Sequence, residues 1–388
     1  MKTSPRICIA GGGPTGLVCA LLLKSRGFDA RVFDARPLAQ AQRDVRLLAL
    51  ARGSWTTLDP LLGAAALPRA EIRDVYVSSA GEFGVTHLPA RDGAALGATV
   101  YYGDLLTALA QAAAAAGIEI TRPAEIADIA QHADGVSLHL QDGTTIDADL
   151  AIVAEGAPQP AAQSSAAPDA WAVLAPLAVD TAAGAAFERF TREGPLALLP
   201  APSSSALGAG AQSGAQSGAQ PMALVWCMSA RQAQRRGALD DAAFTHELQA
   251  AMGPRLGKLL YAGARHRMPL TQAHSDTPVE HRLVRLGNAA QTLHPVAGQG
   301  FNLGLRDCVV LADTLAQAGS IDAALSQFAA RRASDRRAIV AITAALPQIF
   351  ATRFAPVGWA RAAGLNVLNV VPPLRDALAH LLMFGVRA

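Results

Sequence analysis

The apolar positions of this chain first gather into Ile7-Cys8-Ile9-Ala10, a run without polar alternation, as expected of a strand buried on both faces. A glycine-rich turn follows, then a helical pattern from Leu17 to Arg26 and a second strand, Ala30 to Phe33, ending at Asp34. Glu71–Ser78 and Phe83–Leu88, joined at Ser79-Ala80-Gly81-Glu82, predict a hairpin. Gly103 to Ala116 predicts a helix and Ile118 to Thr121 a strand. Val136–Leu140 and Leu150–Ala154, separated by the turn Gln141-Asp142-Gly143-Thr144, lead the chain back to the first sheet. Turn-spaced strands then run from Trp171 to about Arg267, with a helix from Asp240 to Met252. A strand at Arg282–Leu286 and helical patterns from Leu303 and from Ser320 to Leu346 complete the order. This is α/β patterning in which a second sheet interrupts the first.

The first turn carries chemistry. Gly11, Gly13 and Gly16 fit G-x-G-x-x-G, with Pro14 and Thr15 opening the helix. The first glycine allows the tight turn, the second admits a pyrophosphate, and the third lets helix and strand pack. Asp34 ends the second strand where a carboxylate can accept hydrogen bonds from ribose hydroxyls. Strand, glycines, helix, strand and acid together predict an adenine dinucleotide, NAD or FAD.

A second glycine site lies some 270 residues on, in GNAAQTLHPVAGQGFNLGLRD, Gly287 to Asp307. A loop of Gly298, Gln299 and Gly300 leads into a helix whose first N–H groups lack partners inside it and favour an electron-rich ligand. Two grips at opposite ends of one dinucleotide favour FAD, whose ring must be held while its N1–C2=O edge gains negative charge on reduction.

These segments resemble the group A flavin-dependent aromatic hydroxylases, and within them the ubiquinone-biosynthesis branch of the 2-polyprenyl-6-methoxyphenol hydroxylase (UbiH) type. The resemblance rests on the Gly287–Asp307 block, on Ala186-Phe187-Glu188-Arg189-Phe190-Thr191, Gly194-Pro195-Leu196-Ala197 and Leu224-Val225-Trp226-Cys227, and on Arg46 within Asp44–Leu50. It implies a p-hydroxybenzoate-hydroxylase-like fold: a Rossmann-type FAD-binding domain (1–70, 98–165, 270–345), an interleaved β-sheet substrate domain (71–97, 166–269) and a C-terminal helical segment (346–388). It also implies FAD-dependent hydroxylation of a polyprenylated phenol through a flavin C4a-hydroperoxide, with NADH or NADPH as reductant and O2 as oxygen donor. A dedicated NAD(P)H domain is not expected.

The expected cofactor residues are Gly11, Gly13, Pro14, Thr15, Gly16, Asp34, Arg46, Asn288, Gly298, Gln299, Gly300 and Asn302. His294, beside Pro295, lies where it would assist phenol deprotonation; the plainer alternative is a histidine that only hydrogen-bonds the loop, and His266 and His274 are more distant candidates. Three departures from the family pattern stand out. Asn288 replaces an acid, Ala154-Glu155-Gly156 replaces Asp-Gly, and Asp104 stands where pyrophosphate would repel it. Glu155, Asp104 and the absence of the family's usual Ser and Arg from Ala157–Ala166 motivate the rival reading of a non-catalytic scaffold in a quinone-synthesis assembly. Hydride transfer without oxygen insertion is the other rival.

Composition narrows the partners. The 388 residues carry a formal charge of +2 with no polybasic tract, which argues against nucleic acid. Cys8, Cys19, Cys227 and Cys308 lack metal-ligand spacing and read as buried thiols of a reducing compartment, so no metal is expected. No signal peptide or clear transmembrane run is visible, and a cytoplasmic enzyme is expected. Ala201–Gln220, with Gly-Ala-Gln-Ser repeated, reads as a surface loop. Arg331, Arg332, Arg336 and Arg337 read as a solvated helix face. Arg353, Arg361 and Arg375 among apolar runs beyond Pro347 suit peripheral contact with an anionic inner membrane, or with a partner protein.

Overall fold

The computed structural model describes residues 4–63, 67–81, 85–91, 93–156, 170–202, 219–253, 256–270, 273–274, 277–292 and 299–351, with 371, 373, 377, 380 and 383. The low-complexity stretch falls mostly outside them, as do Arg353, Arg361 and Arg375.

The first sheet runs Val279–Glu280, Leu283–Arg285, Leu150–Val153, Ile7–Ala10, Ala30–Phe33, Ile120–Thr121, with only the Val279–Glu280 edge antiparallel. Its central strands Ile7–Ala10 and Leu150–Val153 are apolar throughout because both faces are covered. Ile7 and Ile9 pack with Leu17, Leu105 and Leu311 of the helices Pro14–Ser25, Tyr102–Ala115 and Gln299–Gln317. Cys8, Phe33 and Ala151 face the other way, onto Val136, Leu138 and Ala148. The covering layer there is a separate sheet of Ile126–Gln131, Val136–Leu140 and Thr145–Ala148, so Val136–Leu140 does not join the first sheet as expected. Period-two alternation gave Val136–Leu140 its strand character but not its choice of sheet.

The second sheet runs Lys258–Ala262, Ala170–Asp180, Gln220–Ser229, Pro195–Pro200, Ala185–Phe190, Asp74–Ser79, Val85–Pro89, and His266–Pro269 also pairs with Ala170–Asp180. The expected hairpin is present between Asp74–Ser79 and Val85–Pro89. Its first arm, however, divides at Arg73. Ala70–Ile72 turns away to pair with Gly97–Tyr101, which also pairs with Leu47–Ala51.

One face of the second sheet is closed by the helices Ala230–Gly237 and Asp241–Met252, which bury Ala233, Phe244, Leu248 and Met252 against Leu177, Leu198, Leu224 and Trp226. Ala230–Gly237 was not expected; its polar sequence hides Ala233, and the Ser229 side chain accepts from the Gln232 amide at its start. The Arg236 guanidinium lies 4.0 Å above the Trp226 ring and meets Glu193 and Glu247. Arg235, with help from Arg236, holds the Glu247 carboxyl down to about 2 against an ordinary 4.5. The carboxylate is favoured in the folded state, so this contribution is complete above pH 4.5 and is lost as pH falls toward 2. Partial exposure reduces it to about 1 kcal/mol. Glu247→Gln is therefore expected to lower the melting temperature at pH 7 by about 1 °C and to leave it unchanged near pH 2, measured by thermal melting across that range.

The last described helix, Ile321–Ala351, continues past Pro347 instead of ending before it. Its arginines correct another expectation: Arg332 and Arg336 are buried with Asp335, not solvated. No helix among the described residues is long and apolar enough to cross a membrane.

Candidate active site

The three fingerprint glycines answer different demands. Gly11 has φ +102°, and a Cβ there would lie 2.7 Å from the backbone of Ala154 and Glu155. A Cβ on Gly16 would run into the Gly11 carbonyl. Both are glycine because the protein's own backbone requires it. Among the described residues, a Cβ on Gly13 would meet only the Tyr102 hydroxyl, at 3.2 Å. Gly13 caps the helix Pro14–Ser25 in extended conformation without a side-chain cap, so the first amides of that helix point outward. This is an anion seat whose central glycine serves something other than the chain itself.

The second glycine site abuts the first. Gly287, at φ +57°, packs so closely on Thr15 that a Cβ would lie 2.9 Å from its Oγ1, and a Cβ on Gly304 would sit 3.0 Å from Gly287 Cα. Thr15, Gly287 and Gly304 thus form a seam joining the starts of the two helices, and Thr15 serves this packing whatever else it touches. Gly287–Ala289 makes one 3-10 turn at the seam. Among the described residues, a Cβ on Gly300 would find only Asn288 Oδ1, 3.9 Å away, so Gly300, like Gly13, is not demanded by these neighbours. Gln299 and Gly300 already lie in the helix, which starts at Gln299 rather than Leu303. His294, Pro295 and Gly298 lie outside the described residues.

Asp34 is buried and already engaged: its Oδ2 accepts from the Gly12 amide and its Oδ1 from the Arg36 amide, both at 2.8 Å. Each oxygen retains a second lone pair for a ribose hydroxyl. Arg122, not anticipated from the sequence, donates to the Gly12 carbonyl and lies 3.8 Å from Asp34. Nothing in its local sequence marks it, because it reaches the turn from the edge strand Ile120–Thr121. Arg46 is held by Asp44, with contacts of 2.6 to 2.9 Å, and lies 4.9 Å above the Tyr102 ring. Glu155 has its carboxyl raised by burial, then by Asp34 and Glu125.

Asn302 is engaged within the protein. Its Oδ1 accepts from the Ala51 amide (2.8 Å) and Ser54 hydroxyl (2.6 Å), while its Nδ2 donates to the Ala49 carbonyl (2.9 Å). The side chain is buried and pins the strand Leu47–Ala51 to the helix.

A model of the FAD binding domain matches residues 5–342. The chain belongs to the FAD-dependent ubiquinone-hydroxylase family. It is 31% identical to ubiquinone hydroxylase UbiL of Rhodospirillum rubrum, over 95% of this chain and 87% of that one. It is 30% identical to 3-demethoxyubiquinol 3-hydroxylase of Escherichia coli, over 83% and 82%. Among solved structures, Pseudomonas aeruginosa PqsL, a probable FAD-dependent monooxygenase, matches with TM-score 0.72 at 17% identity, covering 94% of this chain and 99% of that one. Klebsiella pneumoniae HpxO complexed with FAD matches with TM-score 0.69 at 17% identity, over 97% and 99%. The fold is the expected p-hydroxybenzoate-hydroxylase-like one, and the enzyme is an FAD-dependent monooxygenase.

The residues fit FAD. Gly13 and the uncapped amides beyond it suit the pyrophosphate, Asp34 the ribose, and the Gly287–Gly300 seam the far end of the molecule, where no described side chain crowds Gly300.

Proposed function

We propose that the enzyme hydroxylates the ring of a polyprenylated phenol in ubiquinone biosynthesis, with NADH or NADPH as electron donor and O2 as oxygen source. The observation that carries the substrate class is the composition of the second sheet's other face. Opposite the helix-covered side, strand pairing aligns Leu174, Val225 and Ala197, flanked by Pro176, Ala223 and Leu199. In the same row Glu188 pairs with Ala197 and His266 with Leu174, so a carboxylate and an imidazole border the aliphatic set. Branched aliphatic and alanine side chains leave room for an isoprenoid chain without demanding polar partners. Ubiquinone-pathway hydroxylases among the relatives support the same reading.

Bound FAD supplies the oxygen-activating chemistry. The chain's contribution is to seat the pyrophosphate at Gly13, to keep the ring end at the seam, and to exclude water while the phenol is oriented. His294 is assigned to the phenol proton. The division into an FAD-binding domain (1–70, 98–165, 270–345), a substrate domain (71–97, 166–269) and a C-terminal segment (346–388) accompanies this reading. The basic residues Arg353, Arg361 and Arg375 are assigned to anionic headgroups, each contributing roughly 1 kcal/mol near such a surface.

The test is oxygen uptake with product analysis, using one phenol carrying a long prenyl tail and one carrying a short tail. Both phenols are expected to be hydroxylated in step with NAD(P)H oxidation. Replacing all three arginines by glutamate should release the enzyme from anionic vesicles and slow only the long-tailed substrate. NAD(P)H oxidation without a hydroxylated product from either phenol would overturn the assignment.

A further inference from the structure

Two turns into the helix Gln299–Gln317, Arg306 and Asp307 meet Arg332, Asp335 and Arg336 of the helix Ile321–Ala351. Arg332 donates from Nε to Asp307 Oδ1 at 2.6 Å and from Nη1 to Asp335 Oδ2 at 2.7 Å. Arg306 Nε lies 3.3 Å from the same Asp335 oxygen. Asp307, Arg332, Asp335 and Arg336 are buried. Within the cluster three guanidinium groups face two carboxylates, a surplus of one positive charge. Burial lowers Arg306 and Arg336; it also opposes the charge on Arg332, but Asp307 and Asp335 outweigh it and leave that group raised. All three guanidinium groups remain protonated at neutral pH. Such a cluster is a poor way to add stability, since well-packed apolar residues would fill the same space without desolvating ions.

The surplus charge lies under the flavin turn. Arg336 Nη2 donates to the Ala290 carbonyl at 3.5 Å, and Gln291 Nε2 lies 3.5 Å from Asp307 Oδ2. Ala290 and Gln291 directly follow the Gly287–Ala289 turn at the seam. Gln291 is almost wholly buried, so the contact between the cluster and the turn lies in the interior.

We propose that Arg336, held by this cluster, is a positioning residue for the flavin turn and that the cluster's surplus charge favours reduced, anionic flavin over the oxidised form. The proposal rests on the reading that the flavin ring lies against the Gly287–Gly300 seam. Hydride transfer from NAD(P)H delivers two electrons and one proton to neutral flavin, leaving the nicotinamide oxidised and the flavin with one negative charge. A unit positive charge about 10 Å away, at an effective dielectric of about 20, biases that equilibrium about tenfold.

The holoenzyme would be compared with Arg336→Met, Arg336→Lys and Asp335→Asn by anaerobic equilibration of bound flavin against a reference dye. FAD dissociation and melting of the apoprotein would be followed in parallel. Arg336→Met is expected to shift the flavin about tenfold toward the oxidised form, and Arg336→Lys to stay within about twofold of wild type. Asp335→Asn raises the cluster charge by one and is expected to shift the equilibrium the opposite way. Opposite shifts from two substitutions in one cluster are not produced by loosened packing. Equal behaviour of the Met and Lys variants, shifts of the same sign from Arg336→Met and Asp335→Asn, or no shift in any variant would overturn the proposal. If Arg336→Met retains no flavin, the Lys and Asn variants decide by the same signs. Gly300→Val tests the underlying seat separately: unchanged FAD retention and reduction there would remove the ring from this turn, whatever the arginine variants do.

Discussion

Gly13→Val is expected to fold and to purify with on the order of a tenth or less of the wild-type FAD, because its side chain would occupy the space the pyrophosphate needs. Gly13 is already in an extended conformation that any residue adopts, and among the described residues its only near neighbour is the Tyr102 hydroxyl, so the substitution strains the cofactor rather than the chain. Gly16→Ala is the contrasting control. Its Cβ would run into the Gly11 carbonyl, forcing helix and strand apart, so it is expected to lose soluble folded protein as well as flavin. Flavin absorbance per mole of protein and apoprotein melting separate the two outcomes. A Gly13→Val enzyme with full yellow colour would remove the pyrophosphate from this turn.

Asn302→Ala is expected to act on stability first. It removes one acceptor used by the Ala51 amide and Ser54 hydroxyl and one donor used by the Ala49 carbonyl, all at a buried crossing. Leaving such groups unpaired costs about 1–3 kcal/mol each, so a loss of roughly 3–5 kcal/mol is expected after partial relaxation. Asn302→Asp keeps the acceptor but sets a carboxylate oxygen against the Ala49 carbonyl, and should rescue only part of the loss. Denaturant unfolding of the apoprotein measures this without involving flavin. An apoprotein of unchanged stability, with FAD affinity reduced, would return Asn302 to direct cofactor contact.

The Arg306–Arg336 cluster shows where helical periodicity stops being informative. Four arginines and one aspartate in Arg331–Arg337 are the composition of a solvated face. Arg332 and Arg336 are nevertheless buried, because Asp307 waits on the neighbouring helix. Asp307 is 25 residues away in sequence, and no local pattern couples it to Arg332. Asn302 is a similar case: its position at a helix start suggested a ligand contact, and only the packing of Leu47–Ala51 against that helix shows its amide to be occupied.

The sequence by itself determined the nucleotide turn, because strand, glycines, helix and acid are contiguous and each glycine's role is local. It also determined the α/β order in which one sheet interrupts another and, through resemblance, the flavin hydroxylase family that the comparisons bear out. Tertiary structure alone decided which glycines the chain needs for itself and which face an open seat, since that depends on atoms brought from Ala154, Tyr102 and Asn288. It alone joined the two glycine sites at Thr15, Gly287 and Gly304, and brought Arg122 to the Gly12 carbonyl. Local conformational preference is written in neighbouring residues; close approach between distant segments is set by packing, which a linear pattern does not encode.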